Sequence, residues 1–147
     1  MEGWDPQRIV VGVDGSEQAI NAARVAASLA RVRGAHLWVI AVVRPPEGWW
    51  GIVGSPPTAE ALGDALSDAQ AEVLDRTLAA VDLEGVEHET VEEIGEPAQR
   101  LIEACERLDA DLVVVGRRGA GILRRMVVGS VASHLVNEAP CPVLIVP

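Results

Sequence analysis

Short runs of branched apolar residues alternate along this chain with longer stretches of helical periodicity. "RIVVGV" (Arg8 to Val13) is β-branched, apolar and bounded by "DGS", the pattern of a strand buried on both faces. "EQAINAARVAASLARVRG" follows, with Ile20, Ala23, Ala27 and Ala30 at helical spacing and Gly34 placed to end the helix. "AHLWVIAVV" (Ala35 to Val43) predicts a second strand, and "RPPEGWWGIVGSPPT" then breaks all periodicity and predicts a long loop. "AEALGDALSDAQAEVLDRTLAAV" predicts a second helix, acidic on one face. "VEHETVEE" alternates apolar with polar and predicts a more exposed third strand. "GEPAQRLIEACERLD" predicts a helix with Pro97 in its first turn, and "ADLVVVG" a fourth strand. "GSVASHLVNEA" and "CPVLIVP" predict a last helix and a last strand.

Strands that alternate with helices imply a parallel sheet covered on both faces. The expected fold is therefore α/β, a five-stranded parallel sheet, with residues 1–147 as one domain. In such sheets ligands bind beyond the carboxyl ends of the strands, where the strand order reverses. The loops at Gly12 to Ser16, at Val42 to Pro46 and at Gly116 to Ser130, with "IGEP" after the third strand, are the candidates.

Composition narrows the chemistry. Hydrophobic residues make up 49% of 147, yet there is no Phe or Tyr, so the core is Val, Leu, Ile and Ala. The net charge of −10 argues against nucleic acid as a partner. All 12 basic residues are Arg, which excludes a Walker-type phosphate-loop lysine and a Schiff-base lysine. His36, His88 and His134 are scattered and no C-x2-C spacing occurs, so no metal site is expected. Cys105 and Cys141, far apart in sequence, are expected to be separate buried thiols. No apolar run is long enough to span a membrane, and "MEGWDPQR" lacks the order of a secretory leader, so the cytosol is the expected compartment.

"GRRGAGILRRMVVGS", Gly116 to Ser130, carries the most specific signal. Glycines allow backbone N–H groups to approach an anion closely, and a helix N-terminus adds unpaired N–H groups and partial positive charge. The spacing G-x2-G-x9-G-S over Gly116, Gly119, Gly129 and Ser130 surrounds one space with glycine turns and a helix start. The same glycines also serve as plain punctuation of a strand end and a helix start. Arg117 and Arg118, beside the first glycine pair, are candidate charge-assisted phosphate contacts; Arg124 and Arg125 read as a solvated basic loop. Asp14 reads either as a helix cap or as a ligand contact, and Trp49 and Trp50 either as packed residues or as an exposed patch.

The chain resembles the universal stress protein family. "RIVVGVDGSEQA", "LWVIAVVRPP", "ADLVVVGRRGAG" and "VVGSVASHLVNEAPCPVLIVP" carry the resemblance over nearly the whole length. The G-x2-G-x9-G-S spacing marks its ATP-binding branch. The resemblance implies a Rossmann-like, adenine nucleotide alpha hydrolase-like sheet, a homodimer through the C-terminal strand region, and ATP, ADP or AMP as ligand, with or without Mg2+. By this resemblance Gly12 and Asp14 face the nucleotide, and backbone around Val42 meets the adenine. Gly116 and Gly119 border the ribose and phosphates, and Gly129, Ser130 and Val131 donate to the phosphates. Two departures stand out: Arg fills both 117 and 118, where many members place a small polar residue before His or Arg. Ala132 also occupies the region where some members carry a hydroxyl, which removes one candidate phosphate contact. The expected function is a cytosolic ATP-binding stress protein with slow or no hydrolysis. A nucleotide-free dimeric interaction module and a low-turnover ATPase remain open as alternatives.

Overall fold

The computed structural model describes residues 3–45, 58–117 and 129–147. Its elements run β1 (Arg8–Val13), α1 (Glu17–Arg33), β2 (His36–Val43), α2 (Ala59–Ala80), β3 (His88–Ile94), α3 (Pro97–Arg107), β4 (Leu112–Gly116), α4 (Ser130–Glu138) and β5 (Val143–Val146). The strands form one parallel sheet in the order β3-β2-β1-β4-β5. β1 lies at its centre, paired with β2 from Arg8↔His36 to Val13↔Ala41 and with β4 from Ile9↔Leu112 to Val11↔Val114.

Alternate residues of the central strands point to opposite faces, and each face has its own helix pair. On one face Ile9, Val11, Leu37, Val39 and Val114 pack under the Ala-rich stripe of α1 (Ala19, Ala23, Ala26, Ala27, Ala30) and under Leu74 of α2. Small side chains let α1 lie close over the sheet. On the other face Val10, Ile40, Val113 and Val115 meet Leu101, Ile102 and Cys105 of α3 and Ala132 and Leu135 of α4. Buried at i, i+3, i+4 and i+7, the α3 residues Ala98, Leu101, Ile102 and Cys105 give that helix a narrow apolar face. Among the described residues, no helix is long and apolar enough to cross a membrane.

Local chemistry sets most boundaries where the pattern places them. Ser16 caps α1 by accepting from the Ala19 N–H at 3.2 Å, and Gly34 ends it at φ +64°. The third strand starts later than its alternation suggests. The Val86 N–H donates to the Leu83 carbonyl at 3.0 Å with Gly85 at φ +76°, so a turn takes Val86, the first residue that the alternation assigns to β3, and the strand begins at His88. The thiols also differ from expectation. Cys105 is buried, but Cys141 is half-buried, packed at the margin of the apolar cluster to which Cys105 belongs. Trp49 and Trp50 lie outside the described residues.

Gly116 illustrates how tightly α1 sits on the sheet. A Cβ there would come within 2.8 Å of the Gln18 carbonyl carbon and 2.9 Å of its oxygen, backbone atoms in the first turn of α1. Gly116→Ala is expected to cost about 2 kcal/mol, as overpacking against backbone does. Gly34→Ala, where nothing lies within 4 Å, carries left-handed strain alone and is expected to cost about 1 kcal/mol. Urea unfolding of the variants checks this ranking.

Candidate functional site

β1 is followed by a connection on one face of the sheet and β4 is reached by a crossover on the other, so their carboxyl ends diverge. A cleft with about 460 Å³ of free space, its open mouth included, lies there. The ends of β1 (Gly12, Val13, Asp14) and β4 (Val115, Gly116) line it, together with Val42 at the end of β2. Ala19, Pro97, Leu101 and Val131 contribute one wall each from α1, α3 and α4. The walls are mostly aliphatic, and Asp14 is the one carboxylate among these residues.

Asp14 is not the cap of α1. Its carboxylate accepts from the Ser16 N–H at 2.9 Å and folds the strand-to-helix turn, while Ser16 performs the capping. Gly15 completes the turn at φ +84°, a conformation that favours glycine. This leaves the exposed Asp14 carboxylate at the cleft edge. Gly12 has a different task. A Cβ there would lie 2.6 Å from Leu101 Cδ1, so its missing side chain is the space into which Leu101 fits.

The helix N-termini differ in how their N–H groups are satisfied. Ser16 caps α1, and Thr58 caps α2 by accepting from the Ala61 N–H at 3.0 Å. Glu96 caps α3, accepting from the Ala98 and Gln99 N–H groups at 3.3 and 2.8 Å. Arg44 and His134 lie near that same carboxylate, at 3.5 and 4.0 Å. At α4 the cap residue is Gly129, which has no side chain to offer, and no side-chain cap bond forms. The first N–H groups of α4 thus project from an end with partial positive charge, beside a cleft wall that its own Val131 supplies. Such an end suits an anion.

Of the residues expected to form the site, Gly12, Asp14, Val42, Gly116 and Val131 come together around the cleft. Gly129 and Ser130 begin α4 at its side without lining it. Arg117 also does not line it. Its N–H donates to the Val146 carbonyl at 2.7 Å and its carbonyl accepts from Gly129 at 2.8 Å, so its main chain joins β5 to the start of α4. Arg118, Gly119, Arg124 and Arg125 lie outside the described residues. Pro97 comes from the "IGEP" stretch expected to contribute, whereas Leu101 was not legible as a wall residue, since it reads as an ordinary core position of α3. Among the described residues, no group of three or more His, Cys, Asp or Glu is placed to hold a metal ion.

The universal stress protein family model matches residues 6–147. The chain belongs to this family. A universal stress protein of Thermus aquaticus is 36% identical over 139 residues, covering 94% of this chain and 96% of its own. Among solved structures, a universal stress protein in complex with cAMP is 27% identical with a TM-score of 0.64, covering 97% of each chain. The universal stress protein from Archaeoglobus fulgidus in complex with dAMP is 27% identical with a TM-score of 0.66, covering 95% of this chain and 97% of its own. The family fold thus accommodates adenine nucleotides in those two proteins.

Removal of the Glu96 cap tests the division of labour among the helix ends. Glu96→Ala is expected to cost about 1 kcal/mol in chemical denaturation, the usual worth of a helix cap.

Proposed function

We propose that this universal stress protein binds ATP in the cleft at the ends of β1 and β4 and acts as a nucleotide-responsive homodimer in the cytosolic stress response. The observation that carries the reading is the open N-terminus of α4, in a fold where α1, α2 and α3 each carry a side-chain cap. It sits beside an open aliphatic cleft with a carboxylate at its edge. The cAMP and dAMP complexes of related proteins support the choice of an adenine nucleotide.

In this reading the adenine lies among Val13, Val42 and Leu101, with a hydrogen bond to backbone near Val42. Asp14 accepts from a ribose hydroxyl or shares a Mg2+ carried by the phosphates. Gly129, Ser130 and Val131 supply N–H groups to the phosphates, with Gly116, Gly119, Arg117 and Arg118 beside them. The set fits the ligand: apolar walls for the base, one acceptor for the sugar, and an uncapped helix end for the anion. Hydrolysis is slow, because the chain has no lysine to stabilise the developing charge and the cleft offers no carboxylate besides Asp14 among the described residues.

The sheet edges support a dimer through β5. β3 exposes His88, Glu89 and Glu92, polar side chains that discourage pairing, whereas Val143, Leu144 and Ile145 of β5 are half-buried aliphatics on an edge strand. A C2 contact through this edge is expected, and sedimentation that finds a monomer at micromolar concentration rejects it.

Calorimetric titration with ATP and Mg2+ tests the binding reading, and absence of binding at millimolar ATP by folded protein overturns it. Asp14→Ala is expected to weaken ATP about tenfold, the loss of one hydrogen bond to a charged group. Gly129→Asp is sharper. Gly129 has φ −64° and ψ 166°, a conformation any residue adopts, so Asp there caps α4 as the other helices are capped. Stability is expected to rise by about 0.5 kcal/mol while ATP affinity falls at least tenfold and adenosine affinity holds.

A further inference from the structure

Three residues of the cleft wall each have an ionisable side chain close by in the chain. Arg44 follows Val42 by two positions, Glu96 precedes Pro97, and His134 lies three positions beyond Val131 on α4. These three side chains converge. Glu96 Oε1 lies 3.5 Å from Arg44 Nη2, and Glu96 Oε2 lies 4.0 Å from His134 Nδ1. The other ring nitrogen of His134, Nε2, is bonded to Glu138 Oε2 at 2.6 Å. With a proton on each ring nitrogen, His134 pairs with both carboxylates. Glu96 itself is fixed by its own helix, through the Ala98 and Gln99 N–H groups. One carboxylate thus joins the end of β2, the start of α3 and the body of α4. Those are the elements that bring Val42, Pro97 and Val131 to the cleft.

The tie acts on a helix that is lightly held. α4 has nine residues, and Ala132 and Leu135 are its buried side chains. Anchors three positions apart share one face, so they hold the helix to the sheet without fixing its roll. No side-chain cap steadies its first turn. His134 stands about 100° round the helix from Leu135, on the strip that carries Val131. A tie at His134 therefore sets how Val131, and the open N–H groups beside it, face Pro97 and Val42.

We propose that His134 is a positioning residue: through Glu96 and Arg44 it fixes the open end of α4 against the α3 side of the cleft, and so raises affinity for the phosphates without touching the nucleotide. The proposal rests on the reading of the cleft as a nucleotide site. The Arg44, Glu96 and His134 side chains are 59%, 46% and 37% exposed, so the tie is worth a few-fold in affinity rather than orders of magnitude.

A double-mutant cycle on the full-length protein tests this, with dissociation constants for ATP and for adenosine taken by calorimetry. His134→Gln is expected to weaken ATP about threefold, the worth of an exposed ion pair, and to leave adenosine unchanged. His134→Lys, which restores a cation, is expected to recover the loss. Glu96→Gln keeps an oxygen for the α3 N–H groups but removes the charge, and on that background His134→Gln is expected to have no further effect on ATP. Amide hydrogen exchange of the ligand-free protein reads the tie directly: His134→Gln is expected to speed exchange of the α4 amides about threefold and leave α1 as it was. A His134→Gln loss that persists undiminished with Glu96→Gln, an equal loss for adenosine, or unchanged α4 exchange overturns the proposal. A wild-type protein that binds no ATP rejects the nucleotide reading instead, and the exchange rates then decide the tie by themselves.

Discussion

The pairing of β1 with β4 is the constraint on which the rest of this molecule depends. β1 is the central strand, and its other neighbour, β2, belongs to the preceding crossover on the opposite face. Parallel strands need long connections, and right-handed crossovers place α1 and α2 on one face and α3 and α4 on the other. Nothing in the sheet can then fill the space where β1 and β4 part company. The chain closes in on it from both sides, with α1 pressed against Gly116 and Leu101 of α3 pressed against Gly12. Glycine at the two strand ends is a packing requirement before it is a ligand requirement.

The electrostatics follow from the same geometry. The chain carries a net charge of −10, so an anion must be held by a local feature rather than by the overall field. Helix ends supply such features, yet α1, α2 and α3 satisfy theirs internally with Ser16, Thr58 and Glu96. Gly129 withholds a cap from α4. Glu96, the cap of α3, lies 3.5 Å from Arg44 and 4.0 Å from His134 of α4, whose own first turn has no side-chain cap bond.

Much of the fold was legible because buried parallel strands are continuous aliphatic runs and the helices carry strong punctuation. Ser16, Gly34, Pro97 and Gly129 each mark a boundary by a mechanism that needs no tertiary context. β3 was less legible, since the Leu83–Val86 turn is stabilised by a hydrogen bond that the alternating pattern does not reveal. The site was legible in part. Gly12, Asp14, Val42, Gly116 and Val131 all stand at strand ends or a helix start, where α/β topology concentrates ligand contacts. Leu101 reaches the cleft from α3, and its spacing is that of any amphipathic helix.

The sequence by itself determined which segments become strands and helices, since burial period, caps and turn residues are local properties. It also determined that no lysine of this chain could serve a phosphate. Only the tertiary structure decided what those glycines do for packing, which helix end stays open, and that Arg117 spends its main chain on β5 and α4. It alone placed Cys105 and Cys141 in one apolar cluster. Each of these is a contact between residues whose separation along the chain is bridged by a crossover, and no local pattern encodes where a crossover lands.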